Sequence, residues 1–297
     1  MAETNREIDN VTGIETTGHE WDGIKELNNP LPMWWNWTWI ATIVWSVIYM
    51  ILYPAWPLVS DYTRGVLGHS DRAELAESMA ELDQTRQAAA KAAGADLQDF
   101  ANKTAEELYH NAATREIGTR AGRAAYNVNC SQCHGNNATG FVSYPNLIDD
   151  DWIWGGSLDD VVQTIKFGIR SDHDDARVGD MPAFLTDETL DKGQIEAVTE
   201  YVLKLSKQDF DAKLAAKGSA VYKENCADCH RAGGKGNVEF GAPNLTDAIW
   251  LYSSDRAEIV KSISFGRAGV MPNWNEKLSE ATIKQIAIWL RAEAGGQ

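Results

Sequence analysis

One five-residue unit occurs twice and accounts for every cysteine in the chain: Cys130-Ser131-Gln132-Cys133-His134 and Cys226-Ala227-Asp228-Cys229-His230. Two thiols three positions apart on one helical turn can reach the two vinyl groups of one porphyrin, with the adjacent His directed at the iron. The CxxCH spacing therefore reads as covalent c-type haem attachment, twice over, for two haem c groups. A CxxC alone could be a redox pair or half a zinc site. Here each pair carries its own His, and no further Cys remains to give either pair a four-thiolate centre.

The two units are 96 residues apart, and their surroundings recur with them. Gly122 and Gly218 each precede the first Cys by eight positions, and Tyr126 and Tyr222 precede it by four. Pro145-Asn146-Leu147 answers Pro243-Asn244-Leu245, Trp152 answers Trp250, and Phe167-Gly168 answers Phe265-Gly266. Met181-Pro182 and Met271-Pro272 follow. Each copy then ends in an amphipathic stretch, with Ile195, Val198 and Val202 on one face and Ile283, Ile286 and Leu290 on the other copy's face. Between Phe-Gly and Met-Pro the first copy is eight residues longer than the second, and that insertion contains His173 among acidic residues.

With these landmarks the chain resembles the class I cytochrome c domain, in two tandem copies expected at 115–206 and 207–297. The resemblance implies a small all-α fold whose first and last helices cross beside the haem. Gly122/Tyr126 and Gly218/Tyr222 would lie on first helices, and Tyr201 and Trp289 on last ones. It implies that His134 and His230 are proximal iron ligands and that Pro145 and Pro243 accept the ring N–H of those histidines. Met181 and Met271 are the distal candidates, with ligation inside each repeat as the default and exchange between facing domains left open. His173 is a rival to Met181, although its acidic neighbours suit an exposed loop. His/Met ligation raises the potential and leaves no open position for oxygen or peroxide. Small domains of this size bury little surface alone, so a haem in each core would contribute to folding.

A second constraint lies upstream. No charged residue occurs from Leu27 to Ser60, and Trp34 to Tyr53 is rich in Ile, Val, Trp and Met. Twenty residues at about 1.5 Å each span roughly the 30 Å hydrocarbon core. Trp34, Trp35, Trp37 and Trp39 stand at one end and Tyr49, Tyr53 and Trp56 at the other, as amphipathic rings do at the headgroup level. The expected organisation is a cytoplasmic segment over 1–32, one transmembrane helix over 33–57, and a helical linker or stalk over 58–114. The polar, acidic residues before the run argue against a signal peptide.

Acids outnumber bases 43 to 27, which argues against nucleic acid as a partner. The imbalance is local: residues 141–200 hold fourteen acids and four bases, whereas 206–297 hold eleven and twelve. The acidic stretch reads either as a solvated face or as a docking patch for a basic electron donor.

The N-terminal run Thr17-Gly18-His19-Glu20-Trp21-Asp22-Gly23-Ile24-Lys25-Glu26-Leu27-Asn28-Asn29-Pro30-Leu31-Pro32, followed by Trp34-Trp35, resembles the opening of the di-haem subunit (subunit III) of cbb3-type cytochrome c oxidases. That resemblance covers nearly the whole chain, in the form with one membrane helix. It implies a non-catalytic electron-transfer subunit of the bacterial inner membrane, with the N-terminus cytoplasmic and the haem domains periplasmic. Electrons would come from a soluble or membrane-bound cytochrome c or the bc1 complex. They would pass on to a mono-haem cytochrome c subunit and the haem–copper subunit that reduces oxygen. A free membrane-anchored di-haem carrier and a di-haem peroxidase are the competing readings. The first would purify without b-type haem and copper; the second needs an open distal position.

Overall fold

The computed structural model describes residues 7–294. The ends of the expected 1–32 segment and 207–297 domain, residues 1–6 and 295–297, lie outside the described residues. The chain divides into two compact units at Gln84/Thr85.

The first unit opens with a β-hairpin, β1 (Thr16–Trp21) and β2 (Ile24–Leu27), paired antiparallel with Trp21 opposite Ile24. Nothing in the apolar pattern announces it; Asp22-Gly23 does. Both residues have positive φ, 50° and 85°, which a type I′ turn requires and Asp-Gly supplies. Helix α1 (Met33–Leu52) follows, with mean hydropathy 1.3 and no buried residue, as suits a helix surrounded by lipid. Its hydroxyls are satisfied internally: Thr38 donates to the Trp34 carbonyl and Ser46 to that of Thr42.

Within the segment expected to cross the membrane, 33–57, the helix runs to Leu52, and Pro54 and Pro57 follow as the stop that residues lacking a backbone donor supply. Tyr53 precedes Pro54 and is extended (φ −113°, ψ 162°), the conformation that a following proline ring imposes. The last carbonyls are not orphaned. Val66 and Leu67 return to donate to Ile51 and Leu52 at 2.9 and 3.1 Å. Helix α2 (Asp71–Ala92), rich in Ala and Glu, lies within the expected 58–114 linker, and the unit boundary falls inside it.

The second unit is all-α. It contains α3 (Asp99–Asn102), α4 (Ala105–His110), α5 (Ala112–Asn129), α6 (Ser131–His134), α7 (Leu158–Phe167), α8 (Lys192–Leu205), α9 (Ala212–Asn225), α10 (Ala227–His230), α11 (Arg256–Phe265) and α12 (Glu280–Ala294). Helices α3 and α4 fall in the expected linker, yet Phe100 and Leu108 are fully buried against Ile288 of α12. Lys284 reinforces the seam by donating to the Lys103 carbonyl at 2.8 Å. This part of the linker belongs to a core and is not a free stalk.

The cores do not follow the sequence repeats. Helix α5 packs on α12, with Tyr126 and Trp289 ring centroids 4.5 Å apart, and α8 packs on α9, with Tyr201 and Tyr222 at 5.1 Å. The expected 115–206 and 207–297 segments therefore do not each close a core of their own. One lobe combines α3 to α7 with the Met271 segment and α12. The other is the continuous stretch from the Met181 segment through α11. The physical reason is the connection between α8 and α9. It is only residues 206–211, and helices joined so tightly become antiparallel neighbours. Gly122 and Gly218 make both crossings close: a Cβ on either would run into a partner backbone carbonyl, Gln285 or Ala197. Glu200, buried on α8, ties its lobe together by accepting from the Asp211 N–H and from Arg256 Nε, each at 2.6 Å.

Candidate haem-attachment sites

Each CxxCH unit sits at the end of a first helix. Cys130 ends α5 and begins α6, and Cys226 joins α9 to α10 in the same way. The tyrosine four residues before each first Cys anchors the turn: Tyr126 Oη donates to the Gly135 carbonyl at 2.8 Å, and Tyr222 Oη to that of Arg231 at 2.9 Å. Cys130 and Cys226 are half-buried, whereas Cys133 and Cys229 are exposed. Burial, with the second thiol of each pair adding to it, pushes Cys130 and Cys226 up to about 11. Both are held as neutral thiols, unlike the activated thiolates of redox pairs.

His134 and His230 approach Pro145 and Pro243 through the same atom. Nδ1 lies 3.2 Å from the Pro145 carbonyl in one site and 3.0 Å from the Pro243 carbonyl in the other. A carbonyl only accepts, so Nδ1 carries the proton and Nε2 keeps its lone pair. Burial lowers the affinity of both rings for a second proton, outweighing the opposite pull of the proline carbonyls. Both rings are thus neutral imidazoles oriented by a backbone acceptor, as a metal-ligating histidine requires.

The methionines are placed across the repeats. Met271 packs into the core that holds Cys130, Tyr126 and Trp152; Met181 packs into the core that holds Cys226, Tyr222 and Trp250. Each Met is gripped by a two-hydrogen-bond bridge to the residue after a Phe-Gly landmark. Met271 exchanges bonds with Ile169 at 3.0 and 2.9 Å, and Met181 with Arg267 at 2.9 and 3.0 Å. Gly168 and Gly266, at φ 76° and 70°, let the Met-Pro backbones approach; a Cβ on either would strike the Met carbonyl. His173 belongs to neither core. Its ring lies 4.7 Å from Phe167, and its Nδ1 accepts from the Asp175 N–H at 3.0 Å inside the inserted loop.

Two arginines escaped the sequence reading. Arg177 donates to Thr164 and Asp160 and lies over Trp154. Arg267 donates to Ser262 and Glu258 and lies over Tyr252, at equivalent places on α11. A shared string, Arg-x-Gly-x-Met-Pro, was the available signal: Arg177-Val178-Gly179-Asp180-Met181-Pro182 and Arg267-Ala268-Gly269-Val270-Met271-Pro272. The insertion masked it by separating Arg177 from Phe167-Gly168.

The residues present fit a covalently held porphyrin. One exposed and one half-buried thiol stand beside a neutral imidazole, buried at His134 and half-buried at His230, whose Nε2 makes no hydrogen bond among the described residues, and a thioether lies in the same core. The buried indole Nε1 atoms of Trp152 and Trp289 also lack an acceptor among the described residues, which a group bearing carboxylates could supply. Together with α1, these features define a membrane-anchored chain of the c-type cytochrome class.

Its family is narrower. The chain belongs to the cbb3-type cytochrome c oxidase subunit III family. The model described as cytochrome c oxidase, cbb3-type, subunit III matches residues 118–202 and 213–290, and that of the N-terminal domain of cytochrome oxidase-cbb3, FixP, matches 13–60. The chain is 46% identical over 283 residues to the cbb3-type cytochrome c oxidase subunit CcoP of Cereibacter sphaeroides, covering 95% of each. It is 46% identical to subunit FixP of Bradyrhizobium diazoefficiens over 98% of each chain, and 45% identical to FixP of Azorhizobium caulinodans over 98% of this chain and 96% of that one.

Proposed function

We propose that this chain is the electron-transfer subunit of a cbb3-type oxidase and that it holds two haem c groups with crossed axial ligands, His134 with Met271 and His230 with Met181. The observation that carries the pairing is the packing of each methionine into the core of the other repeat's CxxCH unit. Cys130/Cys133 and Cys226/Cys229 form the thioether attachments. Pro145 and Pro243 fix the histidine tautomers, so that each Nε2 faces the iron position. The bound haems supply reversible one-electron chemistry at iron. The chain's own share is to hold them apart from water, with Tyr126, Trp152 and Trp289 around one position and Tyr222, Trp250 and Tyr201 around the other. With a side-chain donor on both sides of each iron position, oxygen reduction falls to a haem–copper partner subunit. Haem attachment outside the cytoplasmic membrane puts the second unit in the periplasm, where it meets a cytochrome c or bc1 donor and hands electrons to a mono-haem subunit.

The test removes one site and then reads the other. A chain carrying Cys130→Ala and Cys133→Ala should retain one haem by mass. In that background Met181→Ala should abolish the methionine-to-iron charge-transfer band, and Met271→Ala should leave it. The reverse result overturns the crossed pairing. Purification without copper and b-type haem would overturn the assignment to an oxidase.

A further inference from the structure

The inserted loop begins with a residue that touches both methionine segments. Its neck is closed by Arg170 N–H to the Arg177 carbonyl at 2.8 Å and Arg177 N–H to the Gly168 carbonyl at 3.0 Å. At the start of that loop Arg170 adopts φ 49°, a left-handed conformation that L side chains avoid unless the surroundings demand it. The side chain explains the demand. Arg170 Nε donates to the Gly269 carbonyl at 2.7 Å, and Arg170 Nη1 donates to the Gly179 carbonyl. The guanidinium carbon lies 5.9 Å from the Trp154 ring centroid.

Gly179 and Gly269 are the same position of the two Arg-x-Gly-x-Met-Pro strings, each two residues before its methionine. One guanidinium therefore joins equivalent carbonyls from both segments. The second repeat has no insertion and no counterpart of Arg170. An arginine suits the task because its planar fork presents rigid donors in different directions, whereas a lysine offers a single point charge.

We propose that Arg170 is a positioning residue that couples the two methionine segments, so that the distal positions of both sites open and close together. This rests on the crossed ligation proposed above. The observations give each Met segment two restraints: the bridge to Ile169 or Arg267, and the Arg170 bond, shared by both. Arg267 opens the Met271 string, so the Met181 bridge also links the segments, and Arg170 adds a second link that holds both at once. Loosening the shared restraint must reach both sites, and loosening one methionine must be felt at the other partly through it.

The experiment uses the full chain in the detergent-solubilised complex, with hydrogen exchange of residues 178–183 and 268–273 and redox titration of both haems. In Arg170→Ala, exchange in both segments should quicken by roughly tenfold or more, as loss of one charge-assisted bond to each implies, and both potentials should fall. Arg170→Lys, which keeps charge and stem, should restore less than half of that protection; it also serves if the alanine variant folds poorly. Met181→Ala should quicken exchange at 268–273 in the Arg170 protein and add clearly less there in Arg170→Ala, where only the Arg267 bridge still links the segments. A response in one segment only, no response in either, or an undiminished Met181→Ala effect without Arg170 would overturn the coupling. Should the methionines not be ligands, the methionine charge-transfer band would be absent from the unsubstituted protein, while the exchange results still judged the clasp.

Discussion

Replacing Gly168 with Ala isolates the contact that brings Met271 to the His134 site. Gly168 has φ 76°, and a Cβ there would meet the Met271 carbonyl oxygen and lie 2.8 Å from Pro272 C and 2.9 Å from Asn273 N. The left-handed backbone costs a non-glycine residue roughly 1–2 kcal/mol. Relieving the collision requires the Met271-Pro272 backbone to retreat by roughly half an ångström or more, since close-packed interiors leave no spare room. That strains both bonds of the Ile169–Met271 bridge, 2.9 and 3.0 Å long, worth about 1 kcal/mol each. Gly168→Ala should therefore cost about 3–4 kcal/mol, and for a lobe of this size the melting midpoint should fall by roughly 12 °C or more. Thermal unfolding followed in the haem absorbance, with the methionine charge-transfer band recorded below the transition, reads both consequences. Gly233→Ala is the control, because nothing lies within 4 Å of a Cβ there. An unchanged midpoint with an intact band in Gly168→Ala would refute the close-approach argument.

Two further outcomes follow from the carboxylates. Glu200→Gln should destabilise the second lobe by about 1 kcal/mol, because it weakens the charge-assisted bonds that buried Glu200 accepts from Arg256 and from the Asp211 N–H, while the half-exposed Arg256 keeps its contact with water. The hydrogen bond from Arg256, and to a lesser degree that from Asp211, hold Glu200 below the usual glutamate range. Its contribution should be complete above the unfolded value of about 4.3 and fade as pH falls through the lower folded value, measurable as a converging pair of urea midpoints. Asp151 has the opposite sign. Burial, then the Asp247 and Asp149 carboxylates, push it up to about 6. Asp151→Asn should stabilise the protein at pH 7.5 by about 1 kcal/mol, allowing for a side chain only half withdrawn from solvent, and the advantage should vanish towards pH 4. An advantage independent of pH would show that the gain is not electrostatic.

Much of the site was legible because its chemistry is local. CxxCH spacing, the proline about a dozen residues on and the Met-Pro pair are read along a single strand of sequence, and the structure places a carbonyl of Pro145 or Pro243 at each histidine. The anchor was legible for the same reason, and so was its end, because Pro54 stops the helix within the uncharged run. The exchange of α8 and α12 was harder to see. A repeat says which residues are equivalent and is silent on which copy a given helix joins, since Tyr201 and Trp289 fit either first helix. The deciding feature was the short 206–211 connection, a matter of chain reach and not of residue type. Arg177 and Arg267 were hidden by the insertion, and Arg170 by having no repeat partner at all.

The interleaved topology also sets an order of events during biosynthesis. The segment from Met181 through α11 is continuous, so its lobe, with the bridge that grips Met181, has been made once Arg267 has emerged. The lobe built on α5 and α6 waits for α12, the last helix of the chain, although its cysteines are made first. The earliest attachment site is thus the latest to be enclosed, and a ribosome that stops short of Glu280 leaves its damage there, some 150 residues upstream of the missing helix.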